Sequence, residues 1–274
     1  MKDQTKYVST VSFAILLITF VSFHASAALI PSDLEVTGNV SFGVDSVSAS
    51  GNASQTATLE SVLGGSSSTT TVSGLTVTGA NPLGGLLLNT NDGVGADASI
   101  SGSAGGSAEG FFFDFLFSMT NTSLTDSFQI FFELVFTNTT SASGADAYAD
   151  AEIILEDELN NELFFSDLTS DTFFGDEKNG SGLPTQGATL SDSGTVLFNF
   201  ILAANSSNSF TTEIKLGAMD FDGSGSFSAD TSAFIRVVGT ENLTPPVNKV
   251  PTPPTLTVLM LVMMYFAVRQ KNKG

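Results

Sequence analysis

Between its two ends the chain alternates apolar and polar residues at a period of two, which predicts strands; helical periodicity hardly competes. The core signal begins at Phe111. Phe111, Phe113, Phe115, Phe117 and Met119 fall on one face of an extended segment, and Phe112 and Leu116 share the other with Asp114 and Ser118. Apolar residues on both faces predict a central strand. After the polar turn Thr120–Asp126 the pattern returns from Phe128 to Phe136, so the two segments are expected to form a hairpin in a sandwich core. Further strands are expected at Tyr148–Leu155, Glu162–Ser166, Thr195–Ala203, Ser209–Leu216 and Ser226–Val238, with Glu156-Asp157-Glu158 as a strand-ending turn.

From Leu34 to about Gly110 the chain is rich in Ser, Thr, Ala, Gly and Asn. Short alternating pieces at Leu34–Gly38, Thr71–Thr78 and Ala96–Ser101 read as strands, whereas Gly64–Thr70 and Ser101–Ser107 read as flexible loop. The triplet Val-Thr-Gly recurs at 36–38 and 77–79 without a fixed period, which argues against a solenoid. Short strands separated by Gly/Asn/Ser turns predict one all-β domain, an antiparallel β-sandwich for which a jelly roll is one suitable arrangement.

The two ends follow different rules. Lys2 and Lys6 precede an apolar run from Phe13 to Phe23, and Ala25-Ser26-Ala27 supplies a small-x-small cleavage site, so residues 1–27 read as a secretory signal peptide. At the other end a proline-rich segment, 244–254, leads to the apolar run Leu256–Val268 and the bases Arg269, Lys271 and Lys273. A helix over that run is about 20 Å long against a hydrocarbon core of about 30 Å, which suits a short-lived membrane stage better than a permanent anchor. Its terminal bases favour a cytoplasmic C-terminus. An ectodomain over 28–243 and a hydrophobic helix with basic tail over 255–274 complete the expected organisation.

Val250, Pro251, Thr252 and Pro253, followed by that hydrophobic segment and basic end, resemble the PEP-CTERM sorting signal of exported bacterial proteins. Thr252 stands where that family usually carries glutamate, and the bases are spaced rather than clustered. The resemblance covers the tail, with a looser one in the Phe-rich strands. It implies an exosortase-type membrane protease as partner, passage through the inner membrane by the C-terminal helix, and delivery to the cell surface or an exopolysaccharide matrix.

Composition narrows the chemistry. The chain has no Cys and no Trp, and its single histidine, His24, lies in the expected signal peptide. A mature protein without His or Cys builds neither a Ser-His-Asp nor a Cys-His nucleophile, and no thiolate or imidazole zinc site. Loss of the two ends would remove five of nine bases and one of 28 acids, leaving Lys178, Lys215, Arg236 and Lys249 and a net charge of about −23. Such a surface repels nucleic acid and anionic lipid.

Two groups of acids remain as candidate chemistry. Glu133, Glu152, Glu156, Asp157 and Glu158 are available for glycosidase-type work, which needs two carboxylates at defined separation, yet Tyr148 is the one expected ring platform of a sugar cleft. In Asp220-Phe-Asp-Gly-Ser-Gly-Ser-Phe-Ser-Ala-Asp230, the acids Asp220, Asp222 and Asp230 allow a calcium loop between strands; Thr231 occupies the place where an EF-hand needs a bidentate Glu, and an ordinary Asp/Gly turn is the competing reading. No other cofactor is expected. The sequence therefore predicts an exported non-enzymatic surface or matrix protein, with a calcium- or polysaccharide-binding adhesion module on a plain membrane anchor as the alternative. Sequons at Asn121 and Asn138 are of the number that a chain so rich in Ser, Thr and Asn produces by chance.

Overall fold

The computed structural model describes residues 27–43, 49–73 and 82–244. These form thirteen strands: β1 Leu34–Phe42, β2 Ser50–Leu63, β3 Ser66–Ser73, β4 Leu83–Leu86, β5 Gly93–Asn121, β6 Phe128–Ser143, β7 Ala147–Asp157, β8 Glu162–Asp171, β9 Glu177–Lys178, β10 Ser181–Gly182, β11 Leu190–Leu202, β12 Ser206–Asp220 and β13 Ser226–Asn242. All pairings are antiparallel. The expected all-β sandwich is what the chain forms, and its two layers curl towards a half-barrel. The signal peptide up to Ser26, the sorting motif and the C-terminal hydrophobic helix lie outside the described residues. Among the described residues no helix is long and apolar enough to cross a membrane.

The 29-residue β5 joins the layers. Its N-terminal half pairs with β2 and β13, and β6 and β11 extend that layer to the order β3-β2-β5-β13-β6-β11. Its C-terminal half pairs with β1 and β12 in the other layer, which runs β4-β1-β5-β12-β7-β8-β9-β10. Between the halves Ala104 (φ 48°) and Gly105 (φ 78°) turn the strand, and their left-handed conformation is one that glycine adopts without steric cost. Ser101–Ser107, expected as flexible loop, is thus the corner at which one strand changes layers. Ser66–Ser73 is likewise a strand: the loop signal over 64–70 reduces to a Gly64-Gly65 turn, because cross-strand partners in β2 satisfy the polar backbone that composition alone assigns to water.

One topological expectation is overturned. Phe111–Met119 and Phe128–Phe136 do not pair as a hairpin; β5 bonds β1 and β12 there, while β6 bonds β13 and β11 in the facing layer. The two Phe-rich faces meet through the core instead. Phe117 and Phe132 stand edge to face at 5.8 Å, and Phe210 stacks on Phe117 at 4.6 Å and on Phe200 at 5.3 Å. Crossing the sandwich lets both inner rows bury against each other, which a flat hairpin cannot do. On the other face of this part of β5, Asp114 and Leu116 are exposed.

Buried asparagines tie the frame. Asn138 on β6 donates from Nδ2 to the carbonyl of Ala151 on β7 at 2.8 Å, bridging the layers. Asn121 closes one end, its Nδ2 donating to the carbonyls of Asp126 and Ala203. At that same end lie Ala28, which exchanges hydrogen bonds with Thr90, and Leu243-Thr244, which bond Ser127. The chain therefore enters and leaves the sandwich at one end, and the turns Ala104-Gly105, Gly144 and Ser224-Gly225 form the other.

Candidate functional site

The distal half of the β3-β2-β5-β13-β6-β11 layer presents hydroxyls in register. One row across adjacent strands reads Thr71, Thr58, Asp97, Ser232, Thr137, Ser193; the next reads Thr56, Ser99, Asp230, Thr139, Ser191; a third reads Ser54, Ser101, Ser228, Ser141. Strand spacing sets the neighbours about 4.8 Å apart within a row, and the two-residue repeat sets rows about 6.8 Å apart. Hydroxyls bond across strands at Thr58–Thr71 (3.0 Å), Ser54–Ser101 (3.2 Å) and Ser143–Ser226 (2.8 Å). A shallow groove of about 300 Å³ runs over this surface, with Asp97 and Asp230 at diagonal positions on its floor among threonines and serines. The sequence-level reading missed this face. Its signal was present as alternating Ser/Thr in β2, β5, β6 and β13, but the same letters suggest loops when their strand partners are unknown.

The three acids proposed for calcium are not brought to one place. Asp220 is 2% exposed at the end of β12; its Oδ2 accepts from the backbone N–H of Gly105 at 2.9 Å and of Gly225 at 3.2 Å, so it clamps the β5 corner to the β12–β13 turn. Its Oδ1 has no hydrogen-bond partner among the described residues. Asp222 lies exposed in the turn and accepts from the Ser224 N–H and hydroxyl, and those bonds hold its carboxyl below the usual range. Asp230 is four residues into β13, in the hydroxyl groove opposite Ser99 and Thr139. Thr231 is buried and donates to the Thr137 carbonyl at 3.2 Å. Among the described residues no group of three or more His, Cys, Asp or Glu is placed to hold a metal ion.

The acids considered for sugar cleavage are also dispersed. Glu133 on β6 accepts from Arg236 Nε at 2.8 Å, and Glu152 on β7 lies 3.8 Å from Lys215. Asp157 ends β7 as expected, its Oδ1 accepting from the N–H groups of Leu159 and Asn161; Asn161 holds its carboxyl low. Acids do converge in the other layer, where Asp150 and Glu152 of β7 face Asp167 of β8 next to a groove lined by Tyr148, Thr169 and Lys215; of the three, Glu152 was singled out from sequence and Asp150 and Asp167 were not. Burial, then the charges of Asp150 and Glu177, push Asp167 up to about 6. Burial raises Asp150 as well, against the Thr169 hydroxyl that donates to it at 2.7 Å. A hydrogen bond with the Asp150 side chain adds to the rise of Asp167.

That pair sets a pH dependence. Because Asp167 binds its proton more tightly folded than unfolded, its contribution is fully present below about pH 4 and is lost as pH rises to about 6. Two pH units correspond to about 3 kcal/mol, which solvent screening at this half-exposed site reduces to about 1 kcal/mol. Asp167→Asn keeps a donor for Asp150 without the charge. It is expected to raise Tm by about 2–4 °C at pH 8 and to leave it unchanged at pH 3.5. Equal gains at both pH values in thermal unfolding would show that no proton is shared.

The fold and this surface define an all-antiparallel β-sandwich with an ordered hydroxyl face. No protein-family model matches the chain, and no curated protein matches it. Among solved structures it is similar to that of infectious bursal disease virus Gx strain, at 12% identity over 84% of this chain and 72% of that chain, with a TM-score of 0.15. It is similar too to the infectious bursal disease virus VP2 subviral particle, at 13% identity over 84% and 72%, with a TM-score of 0.13. Superpositions this loose carry no argument about the chain.

Proposed function

We propose that this chain is an exported, non-enzymatic protein of the bacterial cell surface or extracellular matrix, delivered with a C-terminal exosortase-type sorting signal of the PEP-CTERM kind. The observation that carries the reading is the polarity of the sandwich. Its entry at Ala28 and its exit at Thr244 lie at one end, and the hydroxyl face with Asp97 and Asp230 occupies the far half of one layer. A domain held through its C-terminal end would present that face away from the membrane. A lattice of hydroxyls with two carboxylates offers hydrogen bonds to a hydrated, polyhydroxylated polymer such as exopolysaccharide. We read the sandwich as jelly-roll-like, since the consecutive strands β5 and β6 meet across the layers.

Pro251→Ala with Pro253→Ala tests the sorting signal. Export and signal-peptide removal after Ala27, which rests on Ala25 and Ala27, are expected to continue, while the tail stays attached and the chain accumulates in the inner membrane. Intact mass of the fractionated protein reads both ends at once. A doubly substituted chain that still loses residues 256–274 would sink the assignment.

A further inference from the structure

We propose that β11 is a self-recognition edge, pairing antiparallel with β11 of a second copy so that the β3-β2-β5-β13-β6-β11 layers of two molecules become one continuous sheet. β11 bonds β6 on one side and ends its layer on the other. The first part of the free side is covered: Lys178 Nζ donates to the Ser191 carbonyl at 3.3 Å and meets Asp192 at 3.1 Å. From Thr195 to Leu202 no described strand pairs with it. That stretch, Thr-Val-Leu-Phe-Asn-Phe-Ile-Leu, carries no charge, proline or glycine in a chain of net charge −19. Other edges of the sandwich are blunted by brevity or polarity, β4 and β10 being four and two residues long and β3 reading Ser-Ser-Ser-Thr-Thr-Thr-Val-Ser. Natural sheets protect long edges with lysine, proline or bulges, and here none is present.

The choice of a second copy follows from the sequence of the edge. About Asn199 it is an apolar palindrome: Phe198 matches Phe200, Leu197 matches Ile201, and Val196 matches Leu202. A two-fold axis through Asn199 sets each member of these pairs opposite its counterpart in the other molecule, since opposed residues of an antiparallel ladder share a face. Leu197 and Ile201, exposed at 70% and 61%, would then cover each other on the outer face. The half-buried Phe198 would meet the partner's Phe200 on the inner row. Gln129 Nε2 already donates to Asn199 Oδ1 at 2.8 Å, leaving the Nδ2 donors for the second copy. The surface beside the edge is apolar as well, with a groove of about 240 Å³ lined by Phe131, Leu197, Asn199 and Val238. Self-repulsion of the acidic surface opposes association elsewhere but is weakest at this neutral stretch. Eight residues span about 27 Å, so the joint buries an area near the lower bound for specific interfaces, about 1,000 Å². The pairing is therefore concentration-dependent.

The absence of cysteine makes the test specific. In the full chain, Asn199→Cys sets two thiols opposite each other with Cα atoms about 4.5–5.5 Å apart, within disulfide reach. Mild oxidation is expected to give at least about tenfold more covalent dimer than Thr195→Cys, whose exposed side chain lies about 27 Å from its own copy across the axis. A mixture of Leu197→Cys and Ile201→Cys chains is expected to cross-link in the heterologous pair and not within either kind. Leu197→Lys added to Asn199→Cys sets charge at an exposed position where folding tolerates it and should abolish the dimer. A monomeric Asn199→Cys chain at high concentration overturns the proposal. So does cross-linking of Thr195→Cys to the same extent.

Discussion

Phe210→Ala is expected to lower unfolding free energy by about 4 kcal/mol, the loss typical of a fully buried ring replaced by a methyl group. The side chain is completely enclosed. It touches rings from three other strands: Phe117 of β5 at 4.6 Å, Phe132 of β6 at 5.0 Å, and Phe198 and Phe200 of β11 at 5.2 and 5.3 Å. Stacked and edge-to-face pairs of this kind add about 0.5–1.5 kcal/mol each beyond area burial. No single neighbour can collapse into the cavity, because each is held by its own ladder. At about 2–4 °C per kcal/mol for a domain of this size, Tm should fall by about 10 °C. Phe174→Ala, at a ring 85% exposed, should change stability by less than about 0.5 kcal/mol. A loss at Phe210 below about 1 kcal/mol would mean that the layers are not joined through this cluster. The same cluster supports the inner row of the β11 edge, so the substitution should also weaken self-pairing there.

Much of this core was legible along the chain, because alternation is a local property. Phe113, Phe115, Phe117 and Met119 point inward as their spacing predicts, and so do Phe128, Phe132 and Phe136. Which strand lies beside which was not legible. Two Phe-rich strands joined by a seven-residue polar turn suit a hairpin and a cross-layer link equally well, and the decision rests on partners up to a hundred residues away, such as Phe210 and Ile235. The hydroxyl face was missed for a related reason. Ser99 falls in a segment that reads as a strand, but Ser101 and Ser103 look like loop residues until β2 and β13 supply their neighbours. Counting along 220–231 likewise grouped Asp230 with Asp220 and Asp222, whereas entry into β13 carries Asp230 to the groove that holds Asp97. Sequence proximity was a poor guide once the chain became extended, since each residue then advances by about 3.4 Å.

Asn121→Ala is expected to cost about 3 kcal/mol, although sequence alone places this residue in a polar turn between two strands. The side chain is 1% exposed and closes the end where the chain enters and leaves the sandwich. Its Nδ2 donates to the carbonyls of Asp126 at 2.7 Å, Ala203 at 2.8 Å and Leu202 at 3.3 Å, and its Oδ1 accepts from the Ser123 N–H at 3.0 Å. One amide thus joins the end of β5 to the turn before β6 and to the β11–β12 turn. Alanine leaves buried carbonyls without a donor, at about 1–3 kcal/mol for each group that water cannot reach. Asn121→Asp should be at least as costly at pH 7, because a carboxylate would face three carbonyl oxygens, and it should recover in part when acid protonates it. Ser123→Ala loses an acceptor for the Asp126 N–H at 3.0 Å and should cost about 1 kcal/mol. Urea unfolding with an unchanged m-value measures each loss as a stability difference. If alanine at 121 costs less than about 1 kcal/mol, the loops at this end are held by the backbone ladders instead, and the tail leaves the domain from a frame that the amide does not stiffen.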